Sequence, residues 1–381
     1  MGKRKNNEAV GDVIRKHIVV SAVNIRKGGT LTILRDCLKF LSGREEFRVT
    51  ALVHDSHIVG IPGIEYIDIP WSTNSWGHRL WCEYVTMNRI SRTLQPVDLW
   101  LSLHDTSPRV RAKRQAVYCH TSFPFMTLKW RDWIMDYKIP LFRLFTRFAY
   151  RINVRQNDCL IVQQQWMRES LSGLLHFPED RIILAPPAMS GLGIQNNPVE
   201  TDTPMFFYPA TPDCHKNFET LCRAAEILQN RQDALPFRLV LTIDGTENRY
   251  SKFIKSRFGH VSSIDFHGYM SRQEMADFYA RASCLVFPSR IETWGLPISE
   301  FKPTGKPMIL ADMPYAHETA SGAPQVAFYS PVSSGSILAD YMYCFLNGNK
   351  PHNYFNNIPE KAYQMPLAKD WDNLFKQLLE Q

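Results

Sequence analysis

The sequence predicts two doubly wound α/β domains, and three observations carry that expectation. Short apolar, β-branched runs alternate with helical-period patterns twice along the chain. A stretch rich in Gly, Asn and Pro, Ser190 to Pro204, separates the two series and has no apolar period. The length of 381 residues, at about 150 per domain, leaves room for two cores.

Residues 1–16 are polar and basic without an apolar face, and read as a mobile tail. Residues 17–189 form the first domain. His17 to Val23 reads as a strand, Lys27-Gly28-Gly29-Thr30 as a glycine loop, and Leu31, Leu34, Leu38 and Leu41 as one face of a helix. Val49–Val53, Leu99–Leu103, Ala116–Cys119 and Cys159–Val162 continue the strands, with a helical pattern from Leu80 to Leu94. Residues 190–204 are the linker, and residues 205–364 the second domain. There the expected strands are Met205–Tyr208, Phe237–Ile243, Ile264–Phe266, Cys284–Phe287 and Pro307–Ala311. Helices are expected at Phe218–Gln229, at Arg272–Ala282 and from Pro297. Residues 365–381 read as a C-terminal helix that packs back on the first domain.

With 44% hydrophobic and 21% charged residues, a disordered chain is excluded. A net charge of +7 favours a phosphate-bearing partner but is too small to imply nucleic acid. Eight cysteines without a CxxC pair or a leading signal peptide point to the cytoplasm, and no apolar run reaches the roughly 18 residues of a spanning helix.

The most informative string runs from Pro288 to Glu300 and on to Gly305-Lys306-Pro307. Glu292 falls in a strand-to-helix loop and Glu300 inside the following helix. Carboxylates suit acceptance from vicinal diols, Gly295 lets backbone approach a ligand, and amides around Gly295 to Ile298 are expected at a helix start facing a phosphate or hydroxyl. The spacing of Glu292 and Glu300, with Phe287-Pro288-Ser289 and Gly295-Leu296-Pro297 around it, resembles the retaining GT-B glycosyltransferases of family 4, of the bacterial polysaccharide type. The resemblance implies two Rossmann-like domains facing across a cleft. It implies that Glu292 contacts donor-sugar hydroxyls, that Glu300 holds the nucleoside ribose, and that Thr293, Trp294, Gly295 and Leu296 line the donor site.

Two further stretches extend the resemblance. Tyr208 to Asn217 resembles the family's diphosphate loop, with Lys216 as the cation; many relatives carry an Arg where Ala210 stands here. Gly28 and Gly29 resemble the first-domain loop that admits donor phosphates, and His120, after a strand, resembles the first-domain active-site histidine. Together these imply a catalytic set of His120, Glu292 and Lys216.

No metal site is expected: Asp370-Trp371-Asp372 has a metal-dependent transferase's spacing but falls in the amphipathic C-terminal helix. No cofactor is expected beyond a nucleotide-diphosphate sugar as co-substrate. His104-Asp105 and His54 to His57 read as loop residues. From Pro124 to Arg155 aromatics interleave with Lys129, Arg131, Lys138, Arg143, Arg147, Arg151 and Arg155, opposed only by Asp132 and Asp136. This pattern fits either a solvated basic helix face or an anionic membrane surface at the inner face of the membrane. The expected function is metal-independent, retaining transfer of a hexose to a glycan or lipid-linked saccharide in cell-surface polysaccharide synthesis. The alternatives are another nucleotide-sugar enzyme of this fold, epimerase-like, or an inactive membrane-peripheral scaffold.

Overall fold

The computed structural model describes residues 15–187, 203–332 and 335–380. The expected tail and linker, apart from a residue or two at their borders, lie outside the described residues, as does Gly191 to Asn196.

Two seven-stranded sheets form the frame. The first contains β1 (Lys16–Ala22), β2 (Phe47–Val53), β3 (Glu65–Asp68), β4 (Leu99–Ser102), β5 (Arg114–Tyr118), β6 (Cys159–Val162) and β7 (Ile182–Leu184). All its strands are parallel, in the order β3-β2-β1-β4-β5-β6-β7. The second contains β8 (Met205–Tyr208), β9 (Arg238–Leu241), β10 (Ile264–Phe266), β11 (Cys284–Phe287), β12 (Met308–Ala311), β13 (Gln325–Tyr329) and β14 (Tyr354–Asn356). Its order is β10-β9-β8-β11-β12-β13-β14, and only β14 runs antiparallel. Central strands such as β4, β6, β8 and β11 are buried along their whole length, as expected where helices cover both faces of a parallel sheet.

In each sheet the order reverses between strands distant in sequence, at β1/β4 and at β8/β11. Loops leaving such a pair diverge to opposite faces and open a crevice at the carboxyl ends. Those loops carry Gly28 and Asp105 in the first domain, and residues 209–217 and 288–295 in the second.

The chain returns to the first domain after β14. Leu184 N–H donates to Pro366 O (3.0 Å) and Ala368 N–H to Leu184 O (2.7 Å). The fully buried Arg168 donates to the carbonyls of Gln364 (3.1 Å) and Met365 (3.3 Å), and also to Pro366 O. Helix Trp371–Glu380 then buries Leu374, Phe375 and Leu378 in the first-domain core with Leu38 and Leu41, each worth about 1.5–3 kcal/mol. Asp370 caps this helix by accepting from Asn373 N–H (2.8 Å), and Asp372 pairs with Arg44 (2.8 Å). A second crossing runs the other way: Met126 and Ile139, from the first domain, sit in the core of the second.

Candidate functional site

At the β8/β11 crevice the loop after β8 ends in a 3-10 turn, Cys214–Lys216, and the loop after β11 carries Glu292. Lys216 Nζ lies 2.6 Å from Glu292 Oε1, both side chains largely buried. Tyr208 locks the two loops together: its Oη donates to Lys216 O (2.7 Å) and lies 2.9 Å from Ser289 Oγ. Glu300 sits one turn into helix Leu296–Phe301, where its Oε2 accepts from Tyr279 Oη (2.9 Å). Burial pushes its carboxyl above the usual carboxylate range, and Tyr279 and Arg272 pull it part of the way back. The geometry therefore pairs a cation and a carboxylate from separate segments at the crevice, with Glu300 in the helix that follows the second of them.

Gly295 has φ +84°, and a Cβ there would stand 3.3 Å from Ile298 Cδ1 and 3.4 Å from the Tyr315 ring. The helix starts at the expected place, with Gly295 at its N-cap, but two of the positions from Gly295 to Ile298 offer a ligand no free N–H. Ile298 N–H donates to Gly295 O (3.0 Å), Pro297 has no N–H, and the helix is only six residues long. Leu296 is exposed.

Thr293 and Trp294 reach across to the first domain. Thr293 Oγ1 donates to His120 O (2.5 Å), and Trp294 O accepts from Thr319 Oγ1 and Gln164 Nε2. Trp294 Nε1 donates to Ser299 Oγ (2.8 Å).

On the facing side, the His120 ring stacks on Tyr118 with centroids 4.3 Å apart, and neither buried ring nitrogen has a partner among the described residues. Burial depresses its basicity, as does His104, while Asp105 opposes them. Asp105 does more than fill a loop. At φ +70° its Oδ1 accepts from His120 N–H (2.5 Å), Thr121 N–H (2.9 Å) and Tyr150 Oη (2.9 Å), so it sets the backbone that carries the imidazole. Sequence reasoning missed this role; an acid three residues past the end of a central strand, fifteen before the histidine, was the available signal. Gly28 (φ +74°) and Gly29 open helix Gly28–Ser42, which has no side-chain cap and no acid in its first turn. Nothing lies within 4 Å of a Cβ at either glycine.

Buried charge joins the domains. Arg290, in the loop leading to Glu292, grips Asp132 with both guanidinium nitrogens (2.5 and 3.1 Å), and also donates to Thr127 O (3.3 Å) and Cys214 O (3.2 Å). Glu318 of the second domain caps helix Gln165–Leu175 of the first, accepting from Gln165 N–H (2.9 Å) and Trp166 N–H (2.6 Å).

The basic aromatic segment divides into two parts. Phe123, Met126, Leu128, Met135 and Ile139 pack on the second domain, and Arg143 Nε donates to Met126 O (2.6 Å), so Arg143 is not a free surface cation. Trp130, Trp133, Ile134, Tyr137, Leu141, Leu144 and Phe148 are exposed, beside Lys138 and Arg147. Among the described residues no helix is long and apolar enough to cross a membrane, and no group of three His, Cys, Asp or Glu residues is placed to hold a metal ion.

Residues 194–361 match the family model described as glycosyl transferases group 1. An O-antigen chain mannosyltransferase B of Escherichia coli is 25% identical over 180 residues, 44% of this chain and 47% of that protein. A D-inositol 3-phosphate glycosyltransferase of Streptomyces griseus is 29% identical over 100 residues, 24% of this chain and 21% of that protein. The match thus spans less than half the length of either relative. A sucrose-phosphate synthase from Thermosynechococcus elongatus superposes with a TM-score of 0.61 at 16% identity, covering 87% of this chain and 90% of that one. The architecture is GT-B: two Rossmann-like domains face each other across a cleft.

Proposed function

We propose that the chain is a glycosyltransferase that moves a hexose from a nucleotide-diphosphate sugar to a saccharide or lipid-linked saccharide, with retention of configuration and without a metal, in cell-surface polysaccharide synthesis. The observation that carries this reading is the pairing of Lys216 with Glu292 where the loops after β8 and β11 meet at the second-domain switch point, with Glu300 in the helix that follows and His120 held to Thr293 on the facing side. In the reaction the bond between the anomeric carbon and the diphosphate oxygen breaks, the acceptor hydroxyl oxygen bonds to that carbon, and its proton passes to the departing diphosphate. Lys216 neutralises the charge that develops on the leaving group. Drawing Lys216 toward a diphosphate loosens its pairing with Glu292, which turns that carboxylate toward sugar hydroxyls. Glu300 takes the ribose diol, and the buried, unpartnered His120 nitrogens are the groups on the facing side with hydrogen-bonding capacity to spare. The relatives' names, an O-antigen mannosyltransferase and an inositol-phosphate glycosyltransferase, support a sugar donor and a hydroxyl acceptor.

The exposed aromatic face with Lys138 and Arg147 supports peripheral attachment to an anionic inner membrane face, where each cation is worth about 1 kcal/mol. A panel of UDP-, GDP-, ADP- and dTDP-sugars tests the proposal by thermal shift. A bound donor at a hundredfold excess over its Kd adds about 2.7 kcal/mol. One base is expected to stabilise the protein, Glu300→Ala to abolish the shift, and His120→Ala to lower turnover with little change in melting temperature. The anomeric configuration of the product checks retention. Absence of a shift with every donor, or an equal shift in Glu300→Ala, would sink the proposal.

A further inference from the structure

A cavity of about 570 Å³ opens between helix Trp130–Met135 of the first domain and helix Phe218–Gln229 of the second. It is separate from the crevice just described. Neither Lys216 nor Glu292 lines it, while Arg290, Asp132 and Cys214 do, joined by the Arg290–Asp132 pair and by Arg290 donating to Cys214 O. Its charges do not balance locally. Asp132 is satisfied by Arg290 and Glu219 by Arg131, which leaves Lys129 from one domain and Arg223 from the other. The carboxylate nearest Arg223, Glu226, is 3.8 Å away and is shared with His260. Lys129 stands exposed at the edge of the cavity, where partial burial, Arg290 and Arg131 lower its basicity and Asp132 opposes them. At the rim, Trp130 is 68% exposed and Ile227 38%, two apolar surfaces beside two cations.

We propose that this cavity is a second ligand site for a phosphate-bearing molecule, its anion held between Lys129 and Arg223 and its body against Trp130 and Ile227, and that occupancy tightens binding of the sugar donor. A phosphate brings enough charge for two cations, and the apolar rim suits a sugar face or an acyl chain. Because the cations come from different domains, the ligand binds best to the arrangement that brings them together. The donor crevice is formed by the same two domains, so each ligand raises the affinity of the other by the same factor. The coupling rests on the proposed donor site; the binding itself does not.

Glucose 6-phosphate and vesicles of phosphatidylglycerol and phosphatidylcholine in equal parts probe a free sugar phosphate and a lipid headgroup respectively. Calorimetry on the full chain reads the first and flotation the second. Saturable binding of one probe is expected, weakened at least about tenfold by Lys129→Ser and by Arg223→Ser, with Lys216→Met as a control that leaves it intact. Whichever probe binds identifies the source of the phosphate. Saturating that probe should lower the donor Kd several-fold in the wild type and not in the two Ser variants. Binding of neither probe, binding unchanged in both Ser variants, or binding lost in Lys216→Met alone overturns the site. Binding without a change in donor Kd overturns the coupling. A donor that fails to bind even without the probe overturns the glycosyltransferase reading instead, and leaves the cavity result standing.

Discussion

Replacing Arg290 by Met tests whether the two domains are fastened by a buried charge pair. The guanidinium is 9% exposed and the Asp132 carboxylate 3%. Removing one partner of such a pair leaves an uncompensated charge in a dry place and costs about 3–5 kcal/mol, whereas an exposed pair such as Arg48–Glu65 is worth about 0–1 kcal/mol. One donor survives the substitution: Lys129 N–H still reaches Asp132 Oδ2 at 2.7 Å, which holds the loss toward the lower end of that range. At roughly 2–4 °C per kcal/mol for a domain of this size, the melting temperature should fall by on the order of 6–20 °C. Asp132→Asn should cost less, about 1–3 kcal/mol, since Arg290 keeps its carbonyl partners Thr127 and Cys214. The double variant Arg290→Met with Asp132→Leu removes both charges and should recover most of the loss, because apolar replacement of a buried pair is often close to neutral. Melting followed by tryptophan fluorescence and by calorimetry compares the four proteins. A double variant as unstable as Arg290→Met, or a single-variant loss below about 1 kcal/mol, would refute the reasoning.

Glu300→Gln should separate stability from binding. Folded Glu300 keeps its proton to higher pH than it does in the unfolded chain, so the folded state binds more protons in that window and stability falls as pH rises through it. The variant should melt higher than wild type at pH 8, lose that advantage once the pH drops below the ordinary glutamate range, and show no donor-induced shift; a lower melting point at pH 8 contradicts this. Gly295→Ala should cost about 1–2 kcal/mol from its left-handed backbone, and more from the Ile298 and Tyr315 contacts, in denaturant titrations. The control is Gly173→Ala, inside helix Gln165–Leu175 with nothing within 4 Å, where a gain of up to about 1 kcal/mol is expected.

Legibility in the sequence followed burial. Met205–Tyr208 and Cys284–Phe287 are strands at the expected residues, because strands covered by helices are unbroken apolar runs, here each closed by a proline; the edge strand Ile264–Phe266 also lies at its expected residues, with Asp265 between its two apolar ones. The edge strand Glu65–Asp68 escaped notice because two of its four residues are exposed and charged, and Tyr354–Asn356 because it has only three residues, two of them exposed. Helix Arg249–Phe258 buries four of its ten residues, one of them Ser251, and six of the ten are polar or charged, too sparse a stripe to stand out. At the candidate site, the residues on motifs could be picked out, while those acting over long separations could not. Asp132 and Arg290 are 158 positions apart, and Gln165 and Glu318 are 153 apart. No local pattern encodes either pair. Asp132 did leave one trace, as one of only two acids in a basic segment.

The route of the chain bears on how the protein is made. Helix Trp371–Glu380 supplies Leu374, Phe375 and Leu378 to the first-domain core, and Arg168 waits for the carbonyls of Gln364, Met365 and Pro366. During synthesis the first domain emerges early but lacks these pieces until the second has been translated. Multidomain chains usually complete their domains in order of emergence. Here the second domain, whose strands and helices lie between residues 205 and 356, can close first apart from the few side chains it borrows, and the first domain settles only when the ribosome has released residues 371–380. A stop codon near residue 365 would therefore injure the half of the protein farthest from it, exposing the Leu38 and Leu41 surface to chaperones and proteases while the second-domain core stays closed.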